Sequence, residues 1–298
     1  DGTAGADNFV VTLDASGQHA QVFLGGTQVS SRPLAGVTEV TLNGLGGDDT
    51  FTIDFTNGVF DFDVTVNGDV GAADNDSLIV TGGTFDTVTH TFTSTGPENS
   101  GDITYDDGTS TPTISYTGLE PVDMTGSTIT DLIFNLPGTA DLGILEDDGT
   151  AGDNVSVIRS NAGVPTFETT TFTSPTGSLT VNLGADDANF VVNLLDSGFS
   201  ADLSINGEAG NDTITINDAI GSSLTVDGNG GNDHITLNDT HTTGTTRVSG
   251  SADLDTIVVN DANSGFLQVG GGSGADDITI TFSNTDTHVP LGPQGDSV

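Results

Sequence analysis

Aspartate returns along this chain at a nearly constant interval, and it is the only chemically active residue type that does. Asp212, Asp233, Asp255 and Asp276 occupy one position of a recurring phrase, with Asp49 as its upstream counterpart, and Asp218, Asp239 and Asp261 occupy a second. If successive passes stack, each set becomes a column of carboxylates about 5 Å apart, and neighbours repel by roughly 1 kcal/mol in water and several times that in a protein-like dielectric. Repeated along a column, such repulsion rivals the stability of a domain. Three chemistries would relieve it: side chains splayed into water, carboxyls that keep their protons, or divalent cations shared between passes. Calcium suits the third, because it takes roughly six to eight oxygens and accepts both carboxylates and the carbonyls of glycine-rich turns. The structural alternative is that these aspartates cap turns by accepting backbone N–H bonds.

Such columns require an element that repeats in register. Leu203, Ile205, Gly207, Gly210, Asp212, Ile214 and Ile216 are matched 21 residues later by Leu224, Val226, Gly228, Gly231, Asp233, Ile235 and Leu237. A third pass holds Val248, Gly250, Asp253, Asp255, Ile257 and Val259, and a fourth holds Leu267, Val269, Gly271, Gly274, Asp276, Ile278 and Ile280. Upstream, Val40, Leu42, Gly44, Gly47, Asp49, Phe51 and Ile53 repeat the phrase, and the chain opens inside another copy at Gly2, Gly5, Asp7, Phe9 and Val11. Each pass carries two apolar pairs at a spacing of two, the mark of short half-buried strands. Strands this short cannot bury an apolar face alone, but stacked passes can. The expected fold is an all-β parallel β-helix (a β-solenoid) of about 21 residues per coil, right-handed because parallel crossovers nearly always are. About 11 to 13 coils at strand spacing would make a rod on the order of 55 to 60 Å long. Glycine at the corners supplies the backbone angles of a tight turn.

Composition restricts the setting. The 298 residues include 43 acidic residues, no Cys, no Lys, and Arg only at Arg32, Arg159 and Arg247, for a formal charge of −40. Nucleic acid and anionic membrane surfaces are poor partners for such a chain. No apolar run approaches the roughly 20 residues of a membrane-spanning helix. The acidic, Thr- and Gly-rich composition points to an extracellular or cell-surface bacterial setting. With neither an initiator Met nor a signal peptide at its start, the chain reads as a mature or excised segment.

Gly271 to Thr279 (GGSGADDIT) resembles the GGxGxDxUx nonapeptide of the RTX calcium-binding repeats at every fixed position. Gly228 to Thr236 (GNGGNDHIT) and Gly44 to Thr52 (GLGGDDTFT) match with the second Gly relaxed. The resemblance implies a parallel β-roll with calcium between coils, held by turn carbonyls and by Asp49, Asp233 and Asp276, with Asp212 and Asp255 from looser copies. RTX repeats run in tandem, two to a coil, whereas one copy per 21 residues occurs here. The phrase also varies: Ala188 replaces the aspartate before Phe190, and three extra residues separate Gly68 from Asp76. At the scale of the chain, the likeness is to acidic β-solenoid regions of large bacterial surface and secreted proteins.

Two halves are expected: residues 1–147, with an irregular or hairpin excursion over about 84–145, and 148–283, with regular coils, followed by a polar tail or connection over 284–298. Ile103 to Tyr116, broken by Asp106, Asp107 and Gly108, reads as a hairpin projecting from the rod. Asp148 to Val157 (DGTAGDNVSV) restates the opening DGTAGADNFV, as an old duplication would. Asn75, Asn154, Asn211 and Asn238 lie in Asn-x-Ser/Thr contexts, which allows attached carbohydrate.

Catalysis finds little support. Trp is absent, Tyr occurs only at Tyr105 and Tyr116, the five His form no ligand spacing, and no nucleophile motif is present. A β-helix polysaccharide-degrading enzyme is therefore the least favoured reading. The expectation is a non-catalytic extracellular structural protein, a calcium-buttressed rod that self-associates into a fibre, filament or surface layer. An adhesin, or a calcium-dependent spacer of a giant secreted protein, is the alternative.

Overall fold

The computed structural model describes residues 1–69, 75–93, 100–138, 142–283 and 287–288. Most of the tail expected over 284–298 therefore lies outside the described residues. Among the described residues there is no helix, and the strands form a large, mostly parallel sheet compatible with a β-solenoid. In chain order the first strands are β1 (Asn8–Leu13), β2 (His19–Leu24), β3 (Thr27–Pro33), β4 (Glu39–Asn43), β5 (Thr50–Asp54), β6 (Asp63–Asn67), β7 (Ser77–Thr93), β8 (Ser100–Asp106), β9 (Thr113–Thr117) and β10 (Val122–Asn135). There follow β11 (Leu142–Asp147), β12 (Val155–Ser160), β13 (Thr170–Thr173), β14 (Ser178–Asn182), β15 (Asn189–Val192), β16 (Asp202–Asn206), β17 (Thr213–Asn217), β18 (Ile220–Gly221) and β19 (Leu224–Asp227). The last are β20 (His234–Asn238), β21 (His241–Thr242), β22 (Thr245–Ala252), β23 (Thr256–Ala262), β24 (Phe266–Ser273), β25 (Asp277–Ser283) and β26 (Thr287–His288).

The chain forms two compact units: Asp1–Leu132 with Phe167–Thr173, and Ile133–Thr166 with Ser174–Val298. In the second unit the repeated phrase becomes two parallel stacks. β14, β16, β19, β22 and β24 align Leu179, Leu203, Leu224, Thr246 and Leu267 in one row, and Val181, Ile205, Val226, Val248 and Val269 in the next. β15, β17, β20, β23 and β25 align Phe190, Ile214, Ile235, Ile257 and Ile278. Every residue of that last row is buried. Alternation explains it: side chains two apart share one face of a strand, so the apolar pairs of every pass point inward together. β11 joins this stack in parallel with β15 and carries β12 as an antiparallel neighbour.

The first unit has the same two kinds of stack, with antiparallel additions. β4, β6 and β9 align Val40, Val64 and Ile114, while β1, β5 and β7 align Phe9, Phe51 and Leu78. The Phe9 and Phe51 rings stack with centroids 5.1 Å apart. β1, β2 and β3 form an antiparallel meander. The expected hairpin is present as β8 and β9, but it is woven into the fold instead of projecting from it. β9 pairs in parallel with β6, and Ile103, Tyr105, Ile114 and Tyr116 are buried. β7 makes this possible. Its first part runs parallel to β5, and its second part, Thr87 to Thr93, runs antiparallel to β8. Between them Gly82 and Gly83 adopt φ of 74° and 75°, left-handed values that glycine takes at no steric cost.

The restated opening phrase leads to different structures. At the start it feeds β1, which is parallel to β5, whereas Asp148 to Asn154 forms the turn between antiparallel β11 and β12. By its pairing, with one parallel and one antiparallel neighbour, the counterpart of β1 is β11.

Candidate functional site

The inner aspartates form a ladder whose rungs are backbone hydrogen bonds. Oδ1 of Asp212 accepts the N–H of Ala188 at 2.8 Å, Oδ1 of Asp233 that of Asp212 at 2.8 Å, Oδ1 of Asp255 that of Asp233 at 2.9 Å, and Oδ1 of Asp276 that of Asp255 at 3.0 Å. Each carboxylate thus reaches back to the equivalent residue of the preceding pass. The first unit repeats the arrangement, with Asp49 accepting from Asp7 and Asp76 from Asp49, both at 2.7 Å. All six of these carboxylates are buried.

The glycine that opens each phrase makes room for the carboxylate. A Cβ on Gly207, Gly228 or Gly250 would collide with Oδ2 of Asp212, Asp233 or Asp255, and Gly44 and Gly271 stand in the same relation to Asp49 and Asp276. None of these first glycines has a positive φ. The expectation that glycine supplies corner angles holds for the second glycine instead: Gly47, Gly210, Gly231 and Gly274 have φ of 97°, 118°, 120° and 155°. In the third pass Asp253 takes that place, with φ of 75°.

Oδ2 of Asp212, Asp233 and Asp255 is buried and accepts no hydrogen bond. Burial pushes Asp212 up to about 6 and Asp255 up to about 7, and raises Asp233. A backbone N–H opposes the shift at each site. The charges of neighbouring aspartates, among them Asp187, Asp227, Asp253 and Asp276, add to it.

The second column differs in kind. Asp218, Asp239 and Asp261 are exposed, the first two just after β17 and β20 and the third near the end of β23, with φ of 50°, 47° and 56°, a region that aspartate enters more readily than most residues. The N–H of Asp218 donates to the Asn238 carbonyl, and that of Asp239 to the Asn260 carbonyl, both at 3.0 Å. The eight aspartates singled out from sequence therefore fall into three groups: Asp212, Asp233, Asp255 and Asp276 in one ladder, Asp49 in the ladder of the other unit, and Asp218, Asp239 and Asp261 at the outer corner. Among the described residues no group of three or more His, Cys, Asp or Glu side chains is arranged to hold a metal ion.

Asp7 and Asp76 belong to the ladder although the sequence reading did not select them as site residues. Asp76 keeps its place despite the insertion before it, and its Oδ2 accepts the N–H of Asp69 at 3.0 Å. Ala188 is the terminal rung, which supplies an N–H and needs no carboxylate.

Asparagine ladders also escaped the sequence reading, although Asn217, Asn238 and Asn260 recur with the period of the repeat. Nδ2 of Asn217, Asn238 and Asn260 donates to Oδ1 of Asn193, Asn217 and Asn238 at 3.4, 2.9 and 3.0 Å. Asn206 donates to Asn182 and Asn182 to Asn135 at 2.8 and 2.7 Å. Two of the sequon asparagines are engaged in this way: Asn238 as above, and Asn211, whose Nδ2 donates to Asp187 at 3.1 Å.

Among the described residues the histidines form no metal-holding group. His234 is exposed on β20, whereas His90 lies in the core of the first unit with Nε2 2.7 Å from the Tyr116 hydroxyl. Burial holds its imidazole down at about 3, hence neutral. Compared with models of protein families, with curated proteins and with solved structures, the chain matches none of them.

Proposed function

We propose that this chain is a non-catalytic structural segment, a right-handed parallel β-solenoid that serves as a rod-like part of an extracellular or cell-surface fibre, filament or layer. The observation that carries this reading is the use made of the recurrent chemistry. The inner carboxylates and the amide ladders are committed to backbone and side chains of adjoining passes and not to a convergent pocket. Pairing steps of 21 and 22 residues between β16, β19 and β22 fit a coil of about the length read from sequence.

Calcium has its best place in this reading at the outer corner, where Asp218, Asp239 and Asp261 are open to solvent and lie one strand spacing, about 4.8 Å, apart. An ion there would offset like charges, with the turn carbonyls as additional oxygens. Association of one such rod with another, both at −40, would need the same screening.

Thermal melting and sedimentation velocity, with calcium and with sodium chloride of equal ionic strength, test the proposal. Expected are a higher Tm and larger species in calcium, both lost in Asp218→Asn/Asp239→Asn/Asp261→Asn. Equal behaviour in the two salts removes calcium from the account, and a monomer under every condition removes assembly.

A further inference from the structure

The outward faces of the strand stacks are not alike. Those of β4 and β6 carry Glu39 and Asp63, that of β5 carries Asp54, and those of β16 and β19 carry Asp202 and Asp227. On β17 and β20 the outward residues are Thr213, Thr215, Asn217, His234, Thr236 and Asn238, with no acid among them. β15, and β23 as far as Asn260, continue this face with Asn, Thr and Val alone. Four adjacent strands of a chain that has 43 acidic residues thus present an outward surface without a carboxylate. It ends at Asp277 on β25 and at Glu146 on β11, whose carboxylate is paired with Arg159. The face is also ordered before anything covers it. Its Thr and Val side chains are β-branched and stiff, and the amides of Asn217, Asn238 and Asn260 are tied in a ladder that begins at Asn193. Covering such side chains costs little rotamer freedom.

We infer that a second copy of this chain packs on this face, sheet against sheet, through β15, β17, β20 and β23. The inference rests on the assembly proposed above and names its surface. Charge selects the occupant: another copy, itself at −40, meets carboxylates when it approaches the other stacks, but not here. Spacing selects it again. The outward rows recur once per strand, about every 4.8 Å, and a second copy has that same repeat, so its ridges can seat between successive rows as those of paired identical sheets do. Asp218, Asp239 and Asp261 border the face, and the cation assigned to them would relieve repulsion at the rim as two copies close. A single self-complementary face closes about a two-fold axis, so the product is a dimer.

Sedimentation velocity in calcium compares the original chain with two variants of equal added charge: Thr215→Asp/Thr236→Asp on the face, and Ser204→Asp/Thr225→Asp on the outward side of β16 and β19. Dimer affinity is expected to fall at least about tenfold in the first and to stay within about threefold in the second. A measurement on the original chain guards against misfolded variants. Relaxation of methyl protons by a neutral, soluble gadolinium chelate should drop by at least about half at Val191 and Val258 on dimerisation, and should not change at Val29, which is exposed in the first unit. Equal weakening in both variants, or protection of Val29 in place of Val191 and Val258, overturns the inference while assembly stands. Protection of the two face valines by added dextran, without a dimer, gives the face to a neutral glycan and overturns it as well. A monomer under every condition overturns both this inference and the assembly on which it rests.

Discussion

Asp233 joins two passes through one oxygen, which accepts the Asp212 N–H, and leaves the other buried without a donor. A buried ionised oxygen without a partner is costly, whereas the neutral acid carries a proton it can donate. The folded values of Asp212 and Asp255, about 6 and about 7, lie above the roughly 3.9 of an unfolded aspartate. Their stabilising contribution is therefore complete below the unfolded value and is lost as pH rises through about 6 and about 7. Asp14 and Asp196 act in the opposite sense, because the backbone N–H groups of Gln18 and Gly198 hold them low, Asp14 at about 2. What they contribute is present above the unfolded value and vanishes only as pH falls through the lowered ones. Melting curves should accordingly give a higher Tm near about pH 5 than near about pH 8, and Asp233→Asn, which mimics the neutral acid, should reduce that difference. A Tm that rises steadily toward alkaline pH would contradict this. Glycine offers a second check at the same scale. Gly228→Ala drives a methyl into the Asp233 carboxylate and should cost about 2 kcal/mol or more, whereas at Gly230 the nearest atom to an added Cβ is 3.7 Å away and alanine should be tolerated to within about 0.5 kcal/mol. Equal losses in denaturant titrations of the two variants would remove the steric role assigned to the first glycine.

Strands carry the rest of the stability, and they were largely legible in advance. Leu203, Ile205, Ile214 and Ile216 pair with the partners 21 residues on that the sequence placed beside them, because alternation fixes which face is apolar and a slip of one residue would turn it outward. Ile235→Ala should lose about 2 to 5 kcal/mol, and its neighbour Thr236→Ala, on the outward face, no more than about 0.5 kcal/mol. Comparable losses at both positions would mean that β20 has no single inner face. What the sequence did not disclose was direction and context. Spacing put the aspartates in columns, but it could not tell that the inner carboxylates reach back to an N–H while Asp218, Asp239 and Asp261 stay in solvent. The two roles of glycine are likewise identical in letters and separate only when φ and the neighbouring atoms are known. Nor could local pattern foresee that β7 serves a parallel partner before Gly82 and an antiparallel one after Gly83. Choosing between those partners is a long-range matter. The DGTAGDN restatement was ambiguous for the same reason: the phrase precedes β1 of a parallel stack in one place and joins antiparallel β11 and β12 in the other.

For the whole molecule, charge is the dominant quantity. With 43 acidic residues against three arginines, self-repulsion opposes compactness throughout, and salt should raise the Tm until the screening length falls to about 10 Å or less. An effect of calcium beyond that of equal ionic strength would belong to the outer corner. The core of the account is narrower: equivalent residues of consecutive passes lie over one another, and each inner carboxylate holds the backbone of the pass before it. The most direct test is an experimental density map at a resolution that resolves carboxylate oxygens, recorded with and without calcium. The account predicts Oδ1 of Asp233 about 2.8 Å from the Asp212 nitrogen in both maps, with Ile214, Ile235 and Ile257 in one buried row. Carboxylates of Asp212, Asp233 and Asp255 turned outward around cations, with their backbone N–H groups bonded elsewhere, would contradict it.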